Sequence, residues 1–110
     1  MLAQKNRLKK DKDFKRVFKE GRRLVQDFLL FSYLKNDLEY SRVGIVISSK
    51  VVKKATARNL LKRRIREAVR PLLDNNKTHF DIVILVKSGV KNDFKTIKTE
   101  IEKALGQIIL

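Results

Sequence analysis

From Lys53 to Arg70 the chain reads KKATARNLLKRRIREAVR, and the side chains there that could do chemistry are cations: eight Lys and Arg in eighteen positions, beside a single Glu. At about 100° per residue, Leu61, Ile65, Ala68, Val69 and Leu72 fall in one sector with Ala57, whereas Asn59, Lys62, Arg63, Arg66 and Arg70 fall opposite. This pattern predicts a core helix with a basic outer face, because a disordered tail shows no such period. Only Glu67 can form an intrahelical pair, with Arg63 or Arg70, so the other cations repel one another by roughly a few tenths of a kcal/mol per close pair. From Arg58 to Arg70, Arg outnumbers Lys five to one, and a planar guanidinium suits two-point contact with a phosphate better than a point ammonium does. The preceding loop, SSKVVKKAT, adds Lys50, Lys53 and Lys54 at the amino end of the helix, where unpaired N–H groups already favour an anion. The chemistry indicated is phosphate binding.

Protein-centred catalysis is not indicated. There is no cysteine, hence no thiol nucleophile, thiolate metal site or disulfide framework. His79 is the sole histidine and precedes the apolar run FDIVILV, a position that suits capping or the surface better than a general base. The carboxylates are scattered: Asp11 and Asp13 open a helix, while Asp27, Asp81 and Asp93 lie far apart, with no acidic pair at metal-ligand spacing. Ser48 and Ser49 lack a supporting His or Lys. The expectation is no catalytic and no metal-ligating side chain.

The formal charge of +15 is unevenly distributed: residues 1–23 carry +7 and residues 49–70 carry +8, while 24–48 sum to −1 and 71–110 to +1. If folding joins the two basic segments, they form one positive surface able to displace counterions from a polyanion, which gives strongly salt-dependent binding. A merely solubilising surface would intersperse both signs. Nucleic acid is therefore favoured over an anionic membrane. No apolar run is long enough to span a bilayer and no signal peptide is evident, so a cytoplasmic protein is expected.

The scaffold that must position these cations is one domain, residues 1–110, with enough apolar residues to fill a core. Asp11 or Asp13 can cap a first helix with Phe14, Val17 and Phe18 on one stripe and Gly21 as its stop. Leu24 to Leu34 reads as a strand, Val43 to Ser48 as a second and Phe80 to Val86 as a third. The basic helix lies between the last two and ends or kinks at Pro71. After Asp93, residues Phe94, Ile97, Ile101, Ala104, Leu105 and Ile108 mark a final amphipathic helix.

The run Lys54, Ala55, Arg58, Asn59, Lys62, Arg63, Arg66, Glu67 resembles the RNR signature of the bacterial ribonuclease P protein subunit. Arg7 to Lys10 with Asp13, Phe14, Val17, Phe18 and Gly21 is similar to that family's N-terminal helix, Phe28 to Phe31 to its first strand, and Phe80 to Val83 to its last. Lys53 stands where Gly is usual, Thr56 where Val is usual and Leu60 where a basic residue is common. The expected class is α+β: a single-domain, two-layer α/β sandwich in the order α-β-β-(β)-α-β-α, with a left-handed βαβ crossover at the basic helix, as the resemblance implies. Physical rules alone would have given the right-handed crossover.

The resemblance further implies the protein subunit of an endoribonuclease whose RNA performs the cleavage. That RNA removes the 5′ leader of precursor tRNA with magnesium, and the protein itself binds no cofactor. Implied partners are the ribonuclease P RNA and precursor tRNA, with neither membrane nor DNA. Lys50, Lys53, Lys54, Arg58, Asn59, Lys62, Arg63, Arg66 and Arg70 would grip the catalytic RNA. Phe14, Phe18, Phe31 and Tyr33, flanked by Lys15 and Arg22, would line a cleft for single-stranded leader, where aromatic faces stack on any base. Arg58 borders the apolar stripe and could instead orient the loop. The alternative is a ribosomal or architectural RNA-binding protein without a role in tRNA processing. A helix-turn-helix DNA binder fits less well, because strands flank the basic helix where a second helix should stand.

Overall fold

The computed structural model describes residues 3–73, 78–87 and 93–109. Its main elements are α1 (Asp11–Glu20), β1 (Arg22–Gln26), β2 (Leu29–Lys35), β3 (Arg42–Ile47), α2 (Ala55–Val69), β4 (Phe80–Val86) and α3 (Phe94–Ile109), with short 3-10 turns at Gln4–Asn6 and Arg70–Leu72. The fold is a mixed α+β domain around a four-stranded sheet of order β1-β2-β4-β3. β4 pairs antiparallel with β2 and parallel with β3, so α2 lies in the crossover between two parallel neighbours.

Two expectations about the first half need correction. The run from Leu24 to Leu34 is not one strand but the hairpin β1–β2, with Gln26 opposite Leu29. It turns at Asp27, whose φ of 53° is left-handed, a conformation that a short polar side chain tolerates better than a bulky one. Phe28 is therefore a turn residue and not part of a first strand. Asp11 and Asp13 do not cap α1 either: Lys10 holds the N-cap position without a side-chain bond. Both acids sit in the first turn, where they favour the positive end of the helix dipole. Gly21 does stop α1, and a Cβ there would lie 2.5 Å from the Val17 carbonyl oxygen and 2.6 Å from that of Tyr33.

Strand alternation sorts the sheet into two faces. On one, Leu29, Phe31, Val43, Ile47, Ile82, Ile84 and Val86 join Leu61, Ile65, Ala68 and Val69 of α2 and Ile97, Ile101, Ala104 and Leu105 of α3 in the main core. Burying each of the larger aliphatics there contributes about 1.5–3 kcal/mol. On the opposite face α1 lies alone, over a smaller cluster of Leu8, Val17 and Val83 with Phe14, Leu34 and Val46 packed against it. A Cβ on Gly44 would collide with the Phe14 ring, so glycine is what lets α1 sit so close to β3.

Beneath α1 the sheet also carries charge. Asp81 on β4 is fully buried and accepts from Arg42 twice, Nε to Oδ1 at 2.9 Å and a terminal nitrogen to Oδ2 at 2.7 Å. Asn36 Nδ2 donates to Oδ1 at 2.9 Å, and Arg16 of α1 reaches Oδ2 at 3.4 Å. Burial alone would push the Asp81 carboxyl up, but the Arg42 and Asn36 hydrogen bonds outweigh it and hold the group below its ordinary 3.8. Arg42 also meets Asp13 of α1 at 3.4 Å, so α1 is pinned to the sheet by ions as well as by Val17.

Candidate nucleic-acid interface

The cationic helix forms as its periodicity requires, with Leu61, Ile65, Ala68 and Val69 buried. Asn59, Arg63 and Arg70 are exposed, and Lys62 and Arg66 are half-buried. α2 ends at Val69, and Pro71 lies in the 3-10 turn that follows. Arg70 approaches Glu67 at 4.0 Å. Lys50, Lys53 and Lys54 are exposed on the loop that leads into the helix. Arg58 differs from the other cations: it donates from one terminal nitrogen to the carbonyls of Val52 and Lys53, both at 2.9 Å. Its position beside the apolar stripe is used to fold the loop back on the first turn of α2, which sets the directions of Lys53 and Lys54.

Of the N-terminal basic segment, folding brings Arg7 to the α2 side of the sheet, whereas α1 and its cations lie on the opposite face. Arg7 pairs with Val43 in a parallel bridge and the Leu8 amide donates to the Val43 carbonyl at 2.9 Å, so the N-terminal segment continues the sheet beyond β3. Because Arg7 shares the register of Val43, its side chain is on the α2 face. There it acts on Arg66, whose guanidinium burial and the nearby Arg7 charge together push below its ordinary value. Sequence reasoning assigned Arg7 no contact. The resemblance grouped Arg7 with the N-terminal helix, but it lies ahead of α1 and bridges β3 instead, a pairing that spans residues far apart in the chain.

The aromatic residues expected to line one cleft fall on different faces. Phe31 is 0% exposed inside the main core, because strand parity points it at α2 and α3 and not at α1. Tyr33 has the same parity; it is half-buried and meets Phe80 edge to face, with centroids 6.1 Å apart at 76°. Together with Arg22 it lines a separate pocket that also includes Lys35 and Gln107. Glu20, at the carboxyl end of α1, lines that pocket too, so Tyr33 and Arg22 meet α1 only at its end, and the buried Phe31 lines no cleft beside it. Phe14 is half-buried against Gly44, and Phe18 remains 41% exposed.

What does lie beside α1 is an aliphatic row that sequence reasoning did not single out. Val25 pairs with Leu30, Leu30 with Leu85 and Leu85 with Val46. α1 covers this row only at its Val46 end, which packs against the Val17 cluster; Val25 is 58% exposed, and Leu30, Leu85 and Val46 are only half-buried. Arg16 and Asp13 on one flank of α1 engage Asp81 and Arg42. Phe14 and Phe18 lie on the other flank, turned toward the row, with Lys15 next to Phe18 on the outside. The result is an open apolar trough floored by the sheet and walled by Phe18. Val46 stands two residues before Ser48, so the Lys50–Lys54 loop leaves the sheet at the trough's end. The alternation Leu30, Ser32, Leu34 was a usable signal for this face, but apolar residues fill both parities of β2.

Among the described residues no group of three or more His, Cys, Asp or Glu is placed to hold a metal ion. Nor is any described helix long and apolar enough to cross a membrane.

A cationic helix on one side of a sheet and an apolar trough on the other define a class: a small basic α+β domain with two separate contact surfaces. The ribonuclease P family model matches residues 2–109. The ribonuclease P protein component of Clostridioides difficile (strain 630) is 42% identical over 97 residues, covering 86% of this chain and 84% of the relative. Among solved structures, the Thermotoga maritima ribonuclease P protein in complex with 1-(4-fluorophenyl)-2-thiourea superposes with a TM-score of 0.81 at 36% identity, covering 90% of this chain and 96% of its own. The Staphylococcus aureus ribonuclease P protein gives 0.83 at 27% identity, covering 94% of each chain. The chain belongs to the ribonuclease P protein component family. Membership makes it part of an endoribonuclease of tRNA processing, with ribonuclease P RNA as its partner.

Proposed function

We propose that the two surfaces divide the work of the holoenzyme: α2 and its loop bind the catalytic RNA, and the trough beside α1 receives the single-stranded 5′ leader of precursor tRNA. The observation that supports this reading best is the partly exposed row Val25–Leu30–Leu85–Val46, next to an exposed Phe18 and lysine-bearing borders. An apolar floor with one aromatic wall holds bases irrespective of identity, and flanking cations hold the backbone, which suits a leader of variable sequence. Lys50, Lys53, Lys54, Lys62, Arg63, Arg66 and Arg70 contact the RNA, while Arg58 acts by shaping the loop. The RNA carries the magnesium and the hydrolysis; the protein contributes binding and orientation.

The test is to add the protein to a ribonuclease P RNA at low magnesium and assay precursor tRNA cleavage, with wild type compared to Phe18→Leu. Wild type should restore cleavage. Phe18→Leu keeps apolar bulk but loses the ring face, about 1–3 kcal/mol, so precursor binding should weaken roughly 5-fold to 150-fold while mature tRNA binding is unchanged. Stoichiometric binding to ribosomal RNA with no effect on cleavage would instead favour an architectural role.

A further inference from the structure

At the end of the sheet where β4 begins, a cavity of about 390 Å³ opens beside Tyr33 and Phe80. Strand register builds its floor: Arg22 is the cross-strand partner of Tyr33, and Lys35 that of Phe80, so all four side chains stand on the face that α2 and α3 cover elsewhere. α3 reaches the cavity with its last turn, through Gln107, and Glu20 enters from the end of α1. Tyr33 and Phe80 are half-buried and meet at 76°, so a planar group laid on one ring meets the edge of the other. Arg22, Lys35, Glu20 and Gln107 are exposed and within reach of a ligand. The ion pairs found among the described residues include none of the three charged ones. Two cations against one acid leave a net charge of +1 around an aromatic corner, the complement of a planar ring that carries one negative charge.

We propose that this cavity is a site for a single nucleotide, with the base stacked on the Tyr33–Phe80 pair and the phosphate held by Arg22 and Lys35. Its volume lies within the roughly 300–1,000 Å³ of small-molecule sites. Glu20 accepts from a ribose hydroxyl, and the Gln107 amide offers both a donor and an acceptor to the base edge. The site is on the other face of the sheet from the trough and uses no cation of α2, so it is additional to the two surfaces assigned above. A free nucleotide and one unpaired nucleotide of an RNA strand offer it the same chemistry.

The experiment titrates the protein with adenosine 5′-monophosphate, adenosine, ribose 5-phosphate and single-stranded tetra-adenylate. The Phe80 ring protons, which a stacked base moves upfield, are followed by NMR, directly or by competition. Wild type should bind the monophosphate roughly tenfold more tightly than adenosine and roughly 5-fold to 150-fold more tightly than ribose 5-phosphate. Arg22→Gln and Lys35→Gln should each weaken the monophosphate roughly two- to fivefold and leave adenosine unchanged. Tyr33→Leu should weaken both through the lost stack, and Tyr33→Phe should bind as wild type does. Arg22 and Lys35 are exposed, so their variants carry the test even if Tyr33→Leu folds poorly. Phe18→Leu, which removes the aromatic wall of the trough, locates the site: the Phe80 shift should persist in it. The same shift with tetra-adenylate identifies a nucleotide within a strand as ligand, and a shift with the monophosphate alone identifies the free nucleotide.

No Phe80 shift with any of these ligands would overturn the proposal. Ribose 5-phosphate bound as tightly as the monophosphate would mean an anion site with no place for a base, which overturns it as well. Wild-type affinity for the monophosphate in both Arg22→Gln and Lys35→Gln would remove the phosphate contacts and the assignment with them. Loss of the shift in Phe18→Leu, with Tyr33→Leu unaffected, would put the nucleotide in the trough beside α1, overturning the cavity and leaving the leader reading intact.

Discussion

Asp81 shows how much of this small fold depends on single side chains. It accepts from β3, from Asn36 and from α1 while fully shielded from water. Replacing it with Ala would leave Arg42 half-buried with only its longer contact to Asp13, a loss of about 3 kcal/mol, read as a fall in urea midpoint. Its pH dependence has a definite sign. The folded-state pKa lies below the ordinary 3.8, so the stabilisation is complete above that value and disappears as pH falls through the lower folded value. Melting between about pH 5 and pH 2 should therefore drop in wild type, and Asp81→Asn should show less of that drop. Gly44 is the second such position. Gly44→Ala drives a methyl into the Phe14 ring and should cost about 1–3 kcal/mol. Because the displaced ring shares a helix flank with Phe18, leader affinity should fall with it.

At the scale of elements, the helices and the inner strands could be read from the sequence, whereas the hairpin and the leader trough could not. The stripes of α2 and α3 repeat with the period of a helix, and VGIVIS and FDIVILV are β-branched runs with a polar boundary, so tertiary context only confirmed them. Leu24 to Leu34 gave no such boundary. Its turn rests on Asp27 alone, without the Asn-Gly or Asp-Gly pair that signals a two-residue hairpin. Phe31 was misplaced for a related reason: β2 is covered by helices on both faces, so both parities are apolar and nothing local says which face meets α1. Arg58 was legible as a borderline residue, and its two bonds to loop carbonyls decide its role. Arg58→Ala should cost about 1 kcal/mol of stability and weaken RNA binding through a loosened 48–54 loop. If so, the variant's amide protection would fall in that loop before it falls in α2.

For the whole molecule, the charge that identifies the protein's partner also sets its sensitivity to conditions. Replacing Lys62 and Arg63 with Ala should reduce the steepness of the affinity against salt by about two phosphate contacts while Tm stays within roughly a degree, because the apolar stripe of α2 is untouched. The strand order has a different consequence, one that concerns time. β4 is the central strand for both β2 and β3, yet it is the last strand to be synthesised. Until Phe80–Val86 has left the ribosome, β2 and β3 have no common partner, the parallel pair cannot close, and α2 has nothing to pack on but its own neighbours. Both strongly basic stretches therefore emerge as unstructured polycation before the chain can fold, and a fragment ending at residue 79 should remain unfolded. Assembly of the surface that meets RNA waits on a segment that carries almost no charge of its own.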